Sequence, residues 1–201
     1  AGFTGAAGES FAVAQTSSPT TVLLGLGSNE PGPEVFRDAG AALARTAAKH
    51  ANLAFDIGGR SRYAQAVVEG VLLARYRYDV LRAEPTVTAV ESLTLLGDDQ
   101  GELEQGIRLG RAMAEAQMVA RDLANDPPAV LTATRLADIA ANLGAQRGLE
   151  VEVFDKDALV EMGCGGLLGV NAGSAEPPRM VKLTYRSDGS EGHHLTLVGK
   201  G

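Results

Sequence analysis

The sequence predicts an α/β fold built in two parts, because strand-like and helical segments alternate along the chain. Apolar residues recur at helical spacing around positions 35–46 and 63–74. Strand-like runs flank these segments, at residues 11–15, 22–26, 53–57 and 87–95. We therefore expect an N-terminal α/β domain over residues 1–98, in which two helices pack on one sheet.

A long amphipathic helix is expected next, over residues 99–124. The polar stretch GDDQG precedes it, and apolar or small residues then recur on one face. Pro127 and Pro128 follow, and two prolines cannot continue a helix. This helix is predicted to connect the first domain to a second one over residues 125–201.

The second domain is predicted to be incomplete. Thr132 is expected to cap a helix whose buried stripe runs over residues 136–143. The predicted strands follow, at residues 151–154, 167–170, 181–185 and 195–198. One helix and four strands leave a sheet edge and at least one sheet face uncovered, so the sequence predicts a truncated domain.

Composition excludes several classes of partner. The chain has 201 residues, 45% of them hydrophobic, and a net charge of -7. Without a concentrated basic face, nucleic acid and anionic membranes are not expected partners. No apolar run approaches the roughly 20 residues that cross a bilayer, and no signal peptide is visible. The lone Cys164 fits a reducing compartment, so a cytoplasmic location is expected.

Two glycine-rich turns have both a structural and a ligand-binding interpretation. Gly25 and Gly27 follow a strand, but Glu30 stands where a dinucleotide-binding loop needs its third glycine. We favour an ordinary strand-to-helix turn. Residues 163–166 (GCGG) are interpreted either as a helix end or as a backbone nest for an anion, and we favour the helix end.

Other candidate side chains have simple structural interpretations. Cys164 has no cationic neighbour that would activate it, and adjacent His193 and His194 would point to opposite faces of a strand. His50 is expected to complement a helix C-terminus. Four carboxylates are interpreted as caps or surface charges: Asp122, Asp126, Asp155 and Asp157.

Three sequence blocks nevertheless occur together in a specific order. They are residues 120–128 (ARDLANDPP) with Leu131 and Thr132 behind them, residues 169–179 (GVNAGSAEPPR) and residues 198–201 (VGKG). Together these blocks resemble the two-metal leucyl aminopeptidases, also called the cytosol aminopeptidase family. Residues 69–76 (EGVLLARY) resemble a looser motif of the family's N-terminal domain. Ala129 and Ala133 depart from the pattern where the family often has Asn and Pro.

The resemblance implies a fold and an activity. The implied fold is an N-terminal mixed-sheet domain similar to macro domains, a connector helix, and the beginning of an α/β/α metallopeptidase domain. The implied enzyme removes N-terminal amino acids, often leucine, from peptide substrates. It uses two divalent ions, Zn²⁺ or Mn²⁺, that activate a water molecule. Members of the family are commonly homo-hexamers.

Lys200 corresponds in this resemblance to a lysine that ligates a metal. Ligation requires the neutral amine, which burial and neighbouring cations favour. The family's other metal ligands follow this lysine and are not in the sequence, so Lys200 is the one metal ligand and no catalytic residue is predicted. We therefore expect the isolated chain to be inactive. The alternative function is a non-catalytic macro-like binding or assembly module.

Overall fold

The chain folds into two compact units, Ala1–Asp122 and Leu123–Gly201. A computed structural model describes residues 2–13, 19–84, 87–187, 189, 192 and 194–200. Both units combine helices and strands, which confirms the α/β class. The finer division at residues 98 and 124 stays a prediction.

The first unit contains the predicted helices. Its elements in chain order are strands β1 (Ser10–Val13) and β2 (Thr21–Leu24), helix α1 (Pro33–Thr46), strand β3 (Asn52–Gly58), a 3-10 turn (Ser61–Tyr63), helix α2 (Ala64–Arg75), strand β4 (Ser92–Gly97) and most of helix α3 (Gln100–Asn125). The strand predicted over residues 87–95 begins only at Ser92. Residues 14 and 15 of the first predicted strand lie outside the described residues.

The strands of the first unit are paired two by two. β1 runs antiparallel to β2, and β3 runs parallel to β4 with α2 as the crossover. The prediction of one sheet is therefore wrong for the described residues, which form two separate pairs.

The hydrophobic core of this unit is built on one face of strand β3. Its residues alternate strictly, so that Leu53, Phe55 and Ile57 are buried while their neighbours are exposed. Helices α1 and α2 cover the buried face. The core cluster comprises Phe36, Ala39, Leu43, Ala44, Ala47, Leu53, Phe55, Ile57, Ala64, Ala66, Val67, Val68, Val71, Leu95 and Leu103.

Helices α1 and α2 approach each other closely at Gly70. A Cβ atom at this position would lie 2.0 Å from the carbonyl oxygen of Arg37. Because that oxygen belongs to the backbone of α1, no side-chain movement would relieve the clash. Glycine is thus required for this helix contact.

The second unit contains the end of α3, then α4 (Ala133–Gln146), β5 (Glu150–Phe154), α5 (Lys156–Glu161), α6 (Gly165–Asn171) and β6 (Met180–Thr184). β5 and β6 form an antiparallel pair, and α4 packs on them. The predicted cap of α4 is confirmed: the Thr132 side chain accepts a hydrogen bond from the backbone N–H of Arg135 at 3.2 Å.

Two strand predictions in this unit are wrong. Residues 167–170 lie in helix α6, and residues 195–198 form no strand in the described segment 194–200. The short apolar run GGLLGV has no period that separates a strand from a buried helix. The expected one helix and four strands are therefore three helices and two strands in the described part of the unit.

No helix among the described residues is long and apolar enough to cross a membrane.

Candidate functional site

Lys200 lies in the described segment 194–200, which has no regular secondary structure. The Lys200 side chain is exposed, and so are its apolar neighbours Leu197 and Val198, at 87% and 93% of full exposure. The metal-ligating role of Lys200 stays a prediction.

The described residues do not form a metal site by themselves. No group of three or more His, Cys, Asp or Glu side chains in the described part of the chain could hold a metal ion. A divalent ion in a protein takes at least three or four donors, and Lys200 is the one ligand that the sequence predicts. The residues present therefore do not fit a two-ion centre without further ligands.

The first sequence block forms the stop of α3 and the start of α4. Helix α3 ends at Asn125, and the carbonyl of Pro127 then accepts from Val130 and Leu131 at 2.8 and 3.0 Å. Thr132 begins the next helix. The block thus forms the turn that joins α3 to α4, and its two prolines prevent α3 from continuing.

Asp122 and Asp155 have structural partners. The hydroxyl of Tyr76 donates to Asp122 Oδ1 at 2.9 Å, and the guanidinium of Arg121 lies 5.5 Å from the Tyr76 ring centre. Asp155 caps α5 by accepting from the backbone N–H of Ala158 at 3.0 Å. These contacts agree with the interpretation of both carboxylates as caps or surface charges.

The second block forms the end of α6 and the loop that leads to β6. Asn171 Nδ2 donates to the carbonyl of Glu176 at 3.0 Å, and Ser174 Oγ accepts from the Glu176 backbone N–H at 3.1 Å. Hydrogen bonds from side chains within the loop therefore stabilise its conformation. Pro178, two residues before the start of β6, is buried.

The motif at residues 69–76 joins three helices of the first unit. Glu69, which is 8% exposed, pairs with Arg37 of α1 at 2.8 Å and accepts from Gln65 at 2.8 Å. Through Glu69 and Gly70 the motif contacts α1, and through Tyr76 it contacts α3. Its residues are explained by packing, with no catalytic role required.

Arg75 is the buried cation of this motif. Its guanidinium donates to the carbonyls of Ala44 at 2.7 Å, Ala47 at 2.5 Å, His50 at 3.1 Å and Thr88. Burial lowers the pKa of the guanidinium from its ordinary value. Arg75 satisfies the last carbonyls of α1 and the turn behind it.

Sequence reasoning assigned this cap to His50 and missed Arg75. The backbone carbonyl of His50 is one of the groups that Arg75 binds. A basic residue at the end of one helix gives no sequence signal for capping a helix about 30 positions earlier. The proposed role of the His50 side chain stays a prediction.

The turn at Gly25 and Gly27 is closed by the N-terminal segment. Gly25 N–H donates to the carbonyl of Glu9 at 2.8 Å, and Gly27 N–H donates to that of Gly5 at 2.9 Å. A Cβ atom at Gly25 would lie 2.0 Å from the carbonyl oxygen of Ala6. These contacts occupy the amides that a phosphate loop would present, which supports the strand-to-helix turn.

The glycine run at residues 163–166 ends a helix. Gly163 has φ of +70°, and its N–H donates to Val160 at 3.0 Å while Cys164 N–H donates to Leu159 at 3.0 Å. These two bonds form a Schellman motif, which a glycine in the left-handed region permits. Cys164 is a free, half-buried thiol. His193 lies outside the described residues, and His194 is exposed.

Sequence models of one family match most of the chain. The N-terminal domain of the cytosol aminopeptidase family matches residues 1–85, and the family's catalytic domain matches residues 118–201. The two matches follow each other along the chain, on either side of β4 and the beginning of α3.

Individual relatives indicate the same family. A probable cytosol aminopeptidase of Solibacter usitatus is 45% identical over 70% of this chain and 29% of its own length. That of Mycobacterium ulcerans is 35% identical over 98% of this chain and 41% of its own length. The chain thus spans well under half the length of these relatives.

Two solved structures have the same fold. A bottromycin maturation enzyme in complex with Mn aligns with a TM-score of 0.82 and 32% identity, over 93% of this chain and 41% of its own. A mutant of tomato leucine aminopeptidase aligns with a TM-score of 0.84 and 25% identity, over 94% of this chain and 40% of its own. The chain belongs to the cytosol aminopeptidase family.

Proposed function

We propose that this chain is the front portion of a metal-dependent aminopeptidase that removes N-terminal, leucine-like amino acids from peptides. The observation that carries the proposal is the match of both family domains, in order, to residues 1–85 and 118–201. The tomato structural neighbour is named a leucine aminopeptidase, which supports the residue preference.

The isolated chain is proposed to be inactive. A two-ion centre that activates water needs several ligands for each ion. The described residues offer Lys200 and no cluster of carboxylates or imidazoles that could complete the site.

The proposed metal is Mn²⁺ or Zn²⁺, with two ions in a complete site. One structural neighbour is a complex with Mn, which supports manganese for the family fold. A homo-hexamer and a cytoplasmic location are proposed for the complete enzyme; the second follows the relatives' description as cytosol aminopeptidases. Native mass measurement on a complete enzyme containing this chain tests the hexamer.

A chimera tests the proposed activity. The 201 residues replace the matching portion of the Mycobacterium ulcerans relative, which covers 41% of that protein. We expect the folded chimera to hydrolyse leucine p-nitroanilide with added Mn²⁺ or Zn²⁺, and the isolated chain to stay at the blank rate. A folded chimera without activity, or an isolated chain with turnover well above blank, would contradict the proposal.

A further inference from the structure

A long connection joins helix α2 to strand β4 over residues 76–91. Connections longer than about 12–15 residues are uncommon in compact units and usually have a function of their own. Both ends of this one are attached to the fold. The hydroxyl of Tyr76 donates to a carboxylate oxygen of Asp122 at 2.9 Å, and the carbonyl of Thr88 accepts from Arg75.

The middle of this connection, residues 80–84, is exposed throughout. Val80 and Leu81 are 73% and 71% exposed, so they bury little apolar surface that would hold the segment in place. The backbone N–H of Arg82 donates to the carbonyl of Asp79 at 2.9 Å, and the two side chains pair at 3.6 Å. One hydrogen bond and one exposed ion pair resist opening only weakly. Residues 80–84 can therefore leave the fold at little cost.

A segment with these properties suits an endopeptidase that recognises arginine. Endopeptidases cleave folded proteins at exposed loop tips that open locally. Trypsin-like endopeptidases select their site by a cationic side chain that enters an acidic specificity pocket. The Arg82 side chain is 63% exposed, and the exposed residues Ala83 and Glu84 follow it. The Arg82–Ala83 bond thus combines a recognised side chain with a segment that opens easily.

Two other cationic residues outside the helices and strands of the first unit are held more tightly. Lys49 lies in the turn behind α1. Arg75 holds this turn by donating to the carbonyls of Ala47 and His50, at 2.5 and 3.1 Å. Arg60 is half-buried at the start of the 3-10 turn. The peptide bonds after Lys49 and Arg60 should therefore open less readily than the bond after Arg82.

Arg77 is the matched comparison, because it lies in the same connection and is also exposed. Its neighbour Tyr76 is attached to Asp122, and its other neighbour, Tyr78, is half-buried. A protease binds residues on both sides of the bond that it cleaves, so these neighbours must leave the fold as well. Cleavage after Arg77 should consequently be slower than cleavage after Arg82.

We propose that the Arg82–Ala83 bond is a processing site, at which an arginine-specific endopeptidase cleaves the folded protein. Water adds across the C–N bond and leaves a carboxylate on Arg82 and an amine on Ala83. The site depends neither on Lys200 nor on the proposed peptidase activity.

The first unit should stay assembled after this cleavage. Strands β3 and β4 lie on different fragments, yet they pair with each other along their length. Leu95 and Leu103 of the second fragment are buried in one core cluster with residues of the first. The fragments Ala1–Arg82 and Ala83–Gly201 should therefore coelute in size-exclusion chromatography. Fragments that separate without denaturant would contradict cleavage of a unit that stays folded.

Limited trypsin digestion of the 201-residue chain in native buffer, followed by intact mass over time, tests the proposal. The measured product is the fragment Ala1–Arg82, whose mass does not depend on cleavage in the second unit. We expect it to form at least about tenfold faster than any product of cleavage after another Lys or Arg within residues 1–122. First cleavage of this unit after Lys49, Arg60 or Arg77, or no formation of Ala1–Arg82, would overturn the proposal.

Urea at about 1 M separates local opening from global unfolding. Local opening exposes little surface, so the rate of cleavage after Arg82 should change by less than about twofold once corrected for trypsin activity on a small substrate. Global unfolding of the unit would raise that rate by about fivefold or more. A rate that rises with urea to this extent would contradict cleavage of the folded protein.

Two variants provide the matched control. Arg82→Gln should lower the rate of cleavage after residue 82 by about 100-fold or more, because the specificity pocket requires the cation. Arg77→Gln, at the exposed neighbouring site, should leave that rate within about twofold of the parent. Parental cleavage in Arg82→Gln, or an equal loss in both variants, would overturn the assignment. The digestion of the parental chain decides the matter even where a variant does not fold.

Discussion

The two units of the chain differ in how well their own residues cover their apolar side chains. The first unit has a contiguous core of fifteen buried residues around β3. In the described part of the second unit, the buried hydrophobic residues are Ala137 and Leu159. Large apolar side chains are exposed there on both strands and after them, including Val153, Leu183 and Leu195.

The two units therefore differ in what they require in order to fold. A continuous core can stabilise the first unit without help. Exposed apolar surface of the kind seen in the second unit marks faces that bind other polypeptide. We therefore expect two unfolding transitions in the isolated chain, with the second unit unfolding first.

Replacing Arg75 should have the largest effect, and in the first unit only. Arg75→Met removes the donor for the carbonyls of Ala44, Ala47, His50 and Thr88. We expect the free energy of unfolding of this unit to fall by about 3 kcal/mol or more, because hydrogen bonds to a charged group contribute about 1.5–3 kcal/mol. Urea denaturation followed at the later transition measures this loss.

The control for that variant is Arg77→Met. Arg77 is exposed and donates to the neighbouring carbonyl of Tyr76. Its loss should change the same transition by less than about 0.5 kcal/mol. Equal effects of the two variants would mean that Arg75 does not hold α1 in the way its contacts indicate.

Truncation of Leu159 should destabilise the second unit. Leu159 is fully buried, whereas its neighbour Val160 is 57% exposed. Leu159→Ala should lower the free energy of unfolding of this unit by about 2–3 kcal/mol, and Val160→Ala by less than about 0.5 kcal/mol. Limited proteolysis and amide exchange within residues 133–184 report the change. A first unit equally affected would contradict independent units.

Loss of the α4 cap should have a smaller effect in the same unit. Thr132→Ala removes the acceptor for the Arg135 backbone N–H and should cost about 1 kcal/mol. Thr132→Ser keeps a hydroxyl and should stay within about 0.5 kcal/mol of the parent. Comparable losses from both substitutions would show that the hydroxyl does not cap the helix.

A pH effect at Glu9 should be the smallest. Hydrogen bonds from the side chain and backbone of Thr4 hold the pKa of the Glu9 carboxyl below its ordinary value of 4.5. Because this pKa is lower in the folded state, the stabilisation is present above pH 4.5 and is lost as pH falls through the folded pKa. Carboxyl titration by NMR should give a midpoint below 4.5 that Thr4→Val raises; an unchanged midpoint would contradict the contact.

The sequence was most informative where a period was long. Helix α3 and the cap at Thr132 were predicted because 26 amphipathic residues and a cap before an apolar stripe leave little ambiguity. Helix α6 was predicted as a strand, since seven residues with three glycines carry no usable period. Arg75 was missed because its partners are backbone carbonyls distant in sequence, at and after the end of α1 and at Thr88. The metal-ligand role of Lys200 rests on its motif alone and stays a prediction.

Replacing Lys200 in the active chimera tests most directly whether this residue ligates a metal. Lys200→Ala should lower kcat for leucine p-nitroanilide by about 100-fold or more, since loss of a residue behind a metal ligand already costs about 10–100-fold. Lys156→Ala, at an exposed lysine at the start of α5, should leave kcat unchanged. A Lys200→Ala chimera with kcat near that of its parent would contradict the assignment of Lys200 as a metal ligand.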